Sequence, residues 1–364
     1  MIHIQEFLKN AVLDLIKIQT SEGALPPGHN GPYHDLETPV RNTAHFLFLL
    51  AREYKKNREI IYKQAAEKAI RFLLGSEARP YGKTFYCRDG EGKDRCNGLV
   101  GQAWVIEALV EACEAFGAPE CYELAETIFL MHPFDKNIGI WQRIEIDGQN
   151  LDFDKTFNHQ LWFAAAGAML NRTPEALESA QTFVSKVAAE VQLYSDGVIF
   201  HSSGMGPMLN YFKAGITSIL REAKCRLVKG KRRTSLYSKS VGYHGFNLYA
   251  FAMLYEKFPG LPFWESDIFI QILGAPERNN FDQKLAKSEF GYFYNLSGVE
   301  IAYAYEVFGL GPELVTKWLE AQYKYTCDIS NNFFTKGSTD VETARSRIYE
   351  LSRLKTNYQV KTNV

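Results

Sequence analysis

Apolar side chains recur with a period close to 3.6 residues along most of the chain, which predicts helices and few strands. Residues 2–19 carry one apolar stripe through Phe7, Leu8, Val12, Leu15 and Ile16. The following segments alternate in character. Those at 39–55, 97–116 and 156–170 are strongly apolar, whereas their partners at 57–74, 119–131 and 174–193 are mixed or amphipathic. The series continues at 240–257, 264–274, 298–308 and 312–325. A helix apolar on every side must be buried, and an amphipathic one covers it from outside. The expected fold is therefore all-α: an inner ring of helices wrapped by an outer ring, forming one domain over residues 1–364 with 355–364 as a flexible tail. Strand-like alternation is confined to short loop pieces such as Ile138–Ile146 and Gly197–His201.

The starts of the apolar helices share a small polar signature. It reads Arg41-Asn42-Thr43-Ala44-His45, Arg95-Cys96-Asn97-Gly98, Thr156-Phe157-Asn158-His159-Gln160, Gly242-Tyr243-His244-Gly245 and Asn295-Leu296-Ser297-Gly298. Between Asn42, Asn97, Asn158, His244 and Gly298 the steps are 55, 61, 86 and 54 residues. A step near 55 holds one helical hairpin and its loops, and the long third step leaves room for another. That makes six hairpins, an (α/α)6 toroid. Long loops at 20–38, 75–95, 132–155 and 276–297 precede these starts, and long loops in compact domains are usually functional. With parallel inner helices, loops and helix N-termini gather at one end of the ring, where free N–H groups favour an anionic ligand.

Candidate chemistry clusters at those starts. His159 and His244 begin different inner helices and can exchange protons near neutral pH, with Tyr243 as helper or alternate acid. Asn42, His45, Asn97, Gln102, Asn158 and Asn247 supply hydrogen-bonding groups, and Arg95, beside Asp94, offers paired donors for a carboxylate. Trp104 and Trp162 offer faces for a sugar ring. Glu300 is a carboxylate in an otherwise apolar helix and needs a partner or a task. Each has a plain structural alternative: Asn158 as a helix cap, His45 as a core histidine, Asp94 and Arg95 as a salt-bridged cap on a packed helix, Trp162 as packing.

Composition narrows the partners. A net charge of −1 provides no global field for nucleic acid. No stretch of about 18 uncharged apolar residues occurs, and residues 1–19 carry charges at helical intervals unlike a signal peptide, so a cytoplasmic location is expected. The six cysteines lack CxxC spacing, and no metal-binding, phosphate-loop or dinucleotide pattern appears, so neither metal nor cofactor is expected. Arg221–Arg233 holds seven basic residues against one Glu, a candidate contact for a membrane surface or a complex if not simply a solvated face.

The segments Asp94–Trp104, Thr156–Trp162 and Tyr243–Tyr249 resemble those of the six-hairpin toroid group. That group includes N-acylglucosamine 2-epimerases, unsaturated glucuronyl hydrolases and the helical domains of uronate C5-epimerases. In phrasing the chain is most similar to proteins of bacterial polysaccharide and archaeal glycan gene clusters. The resemblance implies a sugar, oligosaccharide or glycan carrier as ligand, and an epimerase, isomerase or related lyase acting on a uronic or N-acyl sugar. Glucuronyl hydrolases need acidic residues where this chain has Asn97, Asn158 and His244. A glycosidase would have to use Asp94 or Asp154 with Glu300. A non-catalytic glycan-binding scaffold is the third reading.

Overall fold

The computed structural model describes residues 1–186, 188, 191–201, 231–328 and 332–361. The chain opens with β1 (Ile2–His3) and α1 (Ile4–Ile18), followed by α2 (Val40–Asn57), α3 (Ile60–Leu74), α4 (Gly98–Phe116) and α5 (Pro119–Met131). A three-stranded antiparallel sheet in order β2 (Phe134–Asp135), β3 (Ile140–Ile144), β4 (Asn150–Phe153) leads into α6 (Phe157–Met169) and α7 (Pro174–Lys186). Beyond the undescribed stretch come α8 (Lys231–Gly242), α9 (His244–Lys257), α10 (Asp267–Gly274), α11 (Phe281–Lys287), α12 (Ser297–Val307) and α13 (Pro312–Thr326). The last helix, α14 (Val341–Ser346), continues as a 3₁₀ helix through Arg353 before β5 (Gln359–Val360).

Six of these helices line the interior. α2, α4, α6, α9 and α12 pack each on the next, and the α14 segment closes the circle between α12 and α2. The fold is an (α/α)6 toroid, as the apolar periodicity predicts. The core runs continuously around it, and α2, α4, α6, α9 and α12 are buried on nearly every face.

The sixth hairpin is not where the long third step placed it. Among the described residues α9 packs directly on α6, so no further inner helix stands between them. The two ends of the chain make the sixth pair: α1 packs on the outside of the Arg347–Arg353 helix, and β1 pairs antiparallel with β5. This corrects the expectation of a flexible tail at 355–364, since Tyr358 and Val360 are buried; residues 362–364 lie outside the described ones. The stripe Phe7, Leu8, Val12 and Leu15 is fully covered in this packing, each side chain contributing roughly 1.5–3 kcal/mol of burial. The segment 240–257 also differs from expectation. It is the end of α8 and the whole of α9, separated at Tyr243.

Candidate active site

The loops before α2, α4 and α6 meet at the end of the ring where the inner helices start. Glu37 bridges to Arg88, Glu145 accepts from the backbone N–H groups of Arg95 and Cys96, and Asp340 accepts from the backbone N–H groups of His29 and Gly31. These contacts tie four loops into one rim.

The best-defined chemical unit on the rim joins α4 and α6. Asp154, buried just before α6, accepts from the backbone N–H groups of Leu99 and Thr156, and its Oδ2 lies 2.8 Å from His159 Nδ1. Burial alone would raise the Asp154 carboxyl. The His159 imidazole and these hydrogen bonds outweigh it and bring it to about 2. The pair fits because α4 begins with two left-handed residues, Asn97 (φ 56°) and Gly98 (φ 59°). A Cβ on Gly98 would stand 2.5 Å from Asp154 Oδ2 and 2.6 Å from His159 Nδ1, so only glycine leaves room. With Nδ1 held by the carboxylate, Nε2 of the partly exposed His159 is the nitrogen left for chemistry.

A second unit joins Tyr33 of the loop before α2 and His201 of the segment after α7 to α8, the start of α9 and the loop before α12. The His201 ring stacks on Tyr243 at 4.4 Å, and the Tyr243 and Tyr33 hydroxyls are 2.8 Å apart. Lys239 Nζ sits 4.7 Å from the Tyr33 ring centre and 5.2 Å from that of Phe290. Burial, the Lys239 charge and His159 hold the His201 imidazole well below its usual value, so it is neutral. Burial holds the Tyr243 hydroxyl well above its usual value, so it remains a proton donor.

The floor is cationic and aromatic. The Arg41 guanidinium lies 4.4 Å from the Trp104 ring centre, with Nη1 donating to Glu37 Oε1 at 3.0 Å and to Asn30 Oδ1 at 3.3 Å. Tyr294, on the same rim, donates to Asn30 Oδ1 at 2.7 Å. Deeper still, Arg347 Nη2 contacts Glu300 Oε1 at 2.6 Å and Glu350 Oε1 at 2.7 Å. Burial and the mutual repulsion of these two carboxyls outweigh Arg347 for Glu300, which is held well above its usual value; burial brings Glu350 to about 7.

Several sequence-derived assignments change. His244 is fully buried, with Nε2 2.9 Å from Ile272 O and Nδ1 accepting from Ile199 N–H, so both ring nitrogens serve backbone groups away from His159. Burial lowers it to about 4. Arg95 is half exposed beside Asp89 and grips no cleft group. Asp94 is taken by Arg88, Arg143 and the N–H of Gly98, and Glu300 by Arg347. Gln102 staples Phe85 and Cys96, and Asn42 bridges Pro26 and Ser346. His45 stacks on Tyr349, and burial followed by the Arg41 charge holds it well below its usual value. Trp162 is enclosed between Phe246 and Tyr249 and donates to Phe246 O, while one face of Trp104 is covered by Arg41; neither tryptophan presents a free face. Asn158 and Asn247 are buried with each Oδ1 unpartnered, on facing helices. The residues missed from sequence are Arg41, His201, Tyr33, Tyr294 and Arg347. An arginine directly at the start of the apolar run 39–55, ahead of Asn42 and His45, was the available signal for the first. The basic segment 221–233 falls outside the described residues except for the backbone of 231–233. Among the described residues no helix is long and apolar enough to cross a membrane.

No family model matches the chain. A curated relative does: archaeal glycosylation protein Q of Haloferax volcanii is 36% identical over 363 residues, spanning 97% of this chain and 98% of the relative. The chain belongs to the archaeal glycosylation protein Q family. Solved structures share its fold at low sequence identity. Cellobiose 2-epimerase from Bacillus thermoamylovorans superposes with a TM-score of 0.63 at 12% identity, covering 96% of this chain and 98% of that one. A D-mannose isomerase gives 0.62 at 14% identity, covering 96% and 95%. A family 76 glycoside hydrolase from a bovine Bacteroides thetaiotaomicron strain gives 0.59 at 10% identity, covering 96% and 76%. For this family the toroid and its rim are the frame on which a function must be built.

Proposed function

We propose that this protein is a carbohydrate-active enzyme of glycan biosynthesis that moves a proton at carbon: a sugar epimerase or isomerase, or a related lyase, acting on a uronic or N-acyl sugar. The observation that carries the reading is the Asp154–His159 pair, cleared by Gly98 and set where inner helix N-termini converge. Asp154 fixes the ring orientation, and Nε2 removes the proton beside the sugar carbonyl or carboxylate. The neutral His201 takes the place of the His244 expected from sequence as the base on the other wall for the reverse direction, and the proton added to carbon on that side comes from water while His159 returns its own to solvent. The Tyr33 and Tyr243 hydroxyls, kept neutral by burial, donate to the oxygen on which charge develops. Return to the opposite face of the same carbon gives an epimer; return to the neighbouring carbon gives an isomer. The relative's name as a glycosylation protein supports the pathway, while the low-identity structures support the fold alone.

Hydrolysis is the weaker reading. A glycosidase presents two free carboxyls across the bond, whereas Asp94, Asp154 and Glu300 are each engaged. Turnover in deuterium oxide separates the readings. Carbon-bound deuterium in recovered sugar supports proton transfer. Solvent oxygen in the product without carbon-bound deuterium supports hydrolysis, and binding with neither supports a scaffold.

A further inference from the structure

Arg41 carries two unmet donors in a place where unmet donors are costly. Its side chain is 1% exposed, and its Nη1 serves Glu37 and Asn30. Nε and Nη2 are both buried with no hydrogen-bond partner. In a guanidinium those two nitrogens form one edge, with two parallel N–H vectors spaced for the two oxygens of a carboxylate. A buried donor left unpaired is costly, so two adjacent unpartnered N–H groups on one guanidinium edge point to an anionic oxygen pair as their partner. The fork is also held rigid. Trp104 stacks on one side of it, Glu37 fixes the far nitrogen, and Tyr294 lies across at 6.0 Å. Arg347 adds a second guanidinium near the same Tyr294 ring, 5.9 Å away, with its Nε also unpartnered.

We infer that Arg41 seats a carboxylate of the sugar substrate on its Nε/Nη2 edge, which makes the substrate a uronic acid rather than a neutral or N-acyl sugar. This deepens the proposed function and rests on its placing of the sugar at this rim. It transfers to Arg41 the task that the sequence suggested for Arg95. It also gives the proton transfer a chemical reason. A carboxylate neutralised by a fixed guanidinium makes the adjacent C–H more acidic, because the charge arriving on its oxygens meets donors already in position.

Titration calorimetry with glucuronate and galacturonate against glucose and galactose tests this on the intact protein. The uronates should bind about tenfold to a hundredfold more tightly, the range for a charge-assisted bidentate contact. Arg41→Lys keeps the charge and the Glu37 ion pair but loses the side-on fork. It should abolish most of that preference, read as the ratio of uronate to hexose affinity, with an unaltered circular dichroism spectrum. Equal affinity for uronates and hexoses, no uronate binding, or a preference that survives Arg41→Lys would overturn the assignment. Uronate bound through Arg41 without any deuterium exchange would instead sink the proton-transfer reading alone. Deuterium exchange into hexoses with no preference for uronates would sink this inference alone.

Discussion

The starts of α6 and α9 look alike in sequence and differ in three dimensions. Each brings a histidine and an asparagine to the end of a buried helix, and each asparagine ends with an unpartnered buried oxygen. His159 meets Asp154 and the bare backbone of Gly98, so its ring is oriented and half its polar capacity remains open. His244 meets the carbonyl of Ile272, 28 residues on, and the N–H of Ile199, 45 residues back, so its capacity is exhausted. The lesson is that helix-start chemistry is set by what other segments bring to it. Two histidines at the starts of buried inner helices can differ completely in the polar capacity they leave open.

Breaking the comparison directly should give the largest effect. His159→Gln is expected to lower turnover by roughly 10²–10⁴, the usual loss of a positioned acid or base. His244→Gln should stay within a few-fold once unfolded protein is discounted. Steady-state rates on the two purified variants decide it, and a reversal of the order would return His244 to the chemistry.

Stability against pH sharpens the same contrast. His132 and His244 are buried and lowered to about 4, while in the unfolded chain each titrates near 6.5. As pH falls from 6.5 to 4 the unfolded state takes up protons that the native state refuses. Native stability should therefore be full above 6.5 and drop through that window by roughly 3 kcal/mol per histidine. Urea unfolding at stepped pH should show the slope, and His244→Gln should remove about one proton's share of it. An unchanged slope would mean that His244 is solvated.

Asp154 has the opposite window. Its folded value of about 2 lies below the unfolded value near 3.8, so its contribution is present above 3.8 and fades as pH falls toward 2. Asp154→Asn should cost roughly 2 kcal/mol at neutral pH, and the gap from the parent protein should close in strong acid. Chemical denaturation at pH 7 and at pH 2.5 measures both ends. A gap that persists in acid would assign the loss to geometry rather than charge.

The ring itself was legible because a 3.6-residue apolar period survives in five inner helices. The sixth was not. Val341–Arg353 carries Arg345, Arg347, Glu350 and Arg353 within a short span, which in one dimension reads as a solvated surface. Arg347 and Arg353 are instead buried against Glu300 and Glu107, partners 47 and 246 residues away. Burying charges is tolerable only as pairs, and distant pairs leave no periodic trace. Arg41 was hidden differently. It stood in the quoted signature, but its exposed counterpart Arg95 sat beside an aspartate and drew the carboxylate-binding role.

That exchange of roles yields the smallest predicted effect, and its smallness is the point. Arg95 is about half exposed, and its nearest carboxylate, Asp89 at 3.6 Å, is equally open to solvent. Exposed ion pairs of this kind contribute about 0–1 kcal/mol, because water screens the charges and two long side chains lose freedom to meet. What anchors the loop here is the backbone: Glu145 holds the N–H groups of Arg95 and Cys96 whatever side chain stands at 95. Arg95→Ala should therefore shift unfolding free energy by less than about 0.5 kcal/mol and leave sugar affinity unchanged. Measured beside Arg41→Lys on the same uronate, it asks whether burial or proximity to an acidic neighbour marks the working arginine. A loss of uronate affinity in the Arg95 variant matching that of Arg41→Lys would place the anion at the rim rather than at the floor.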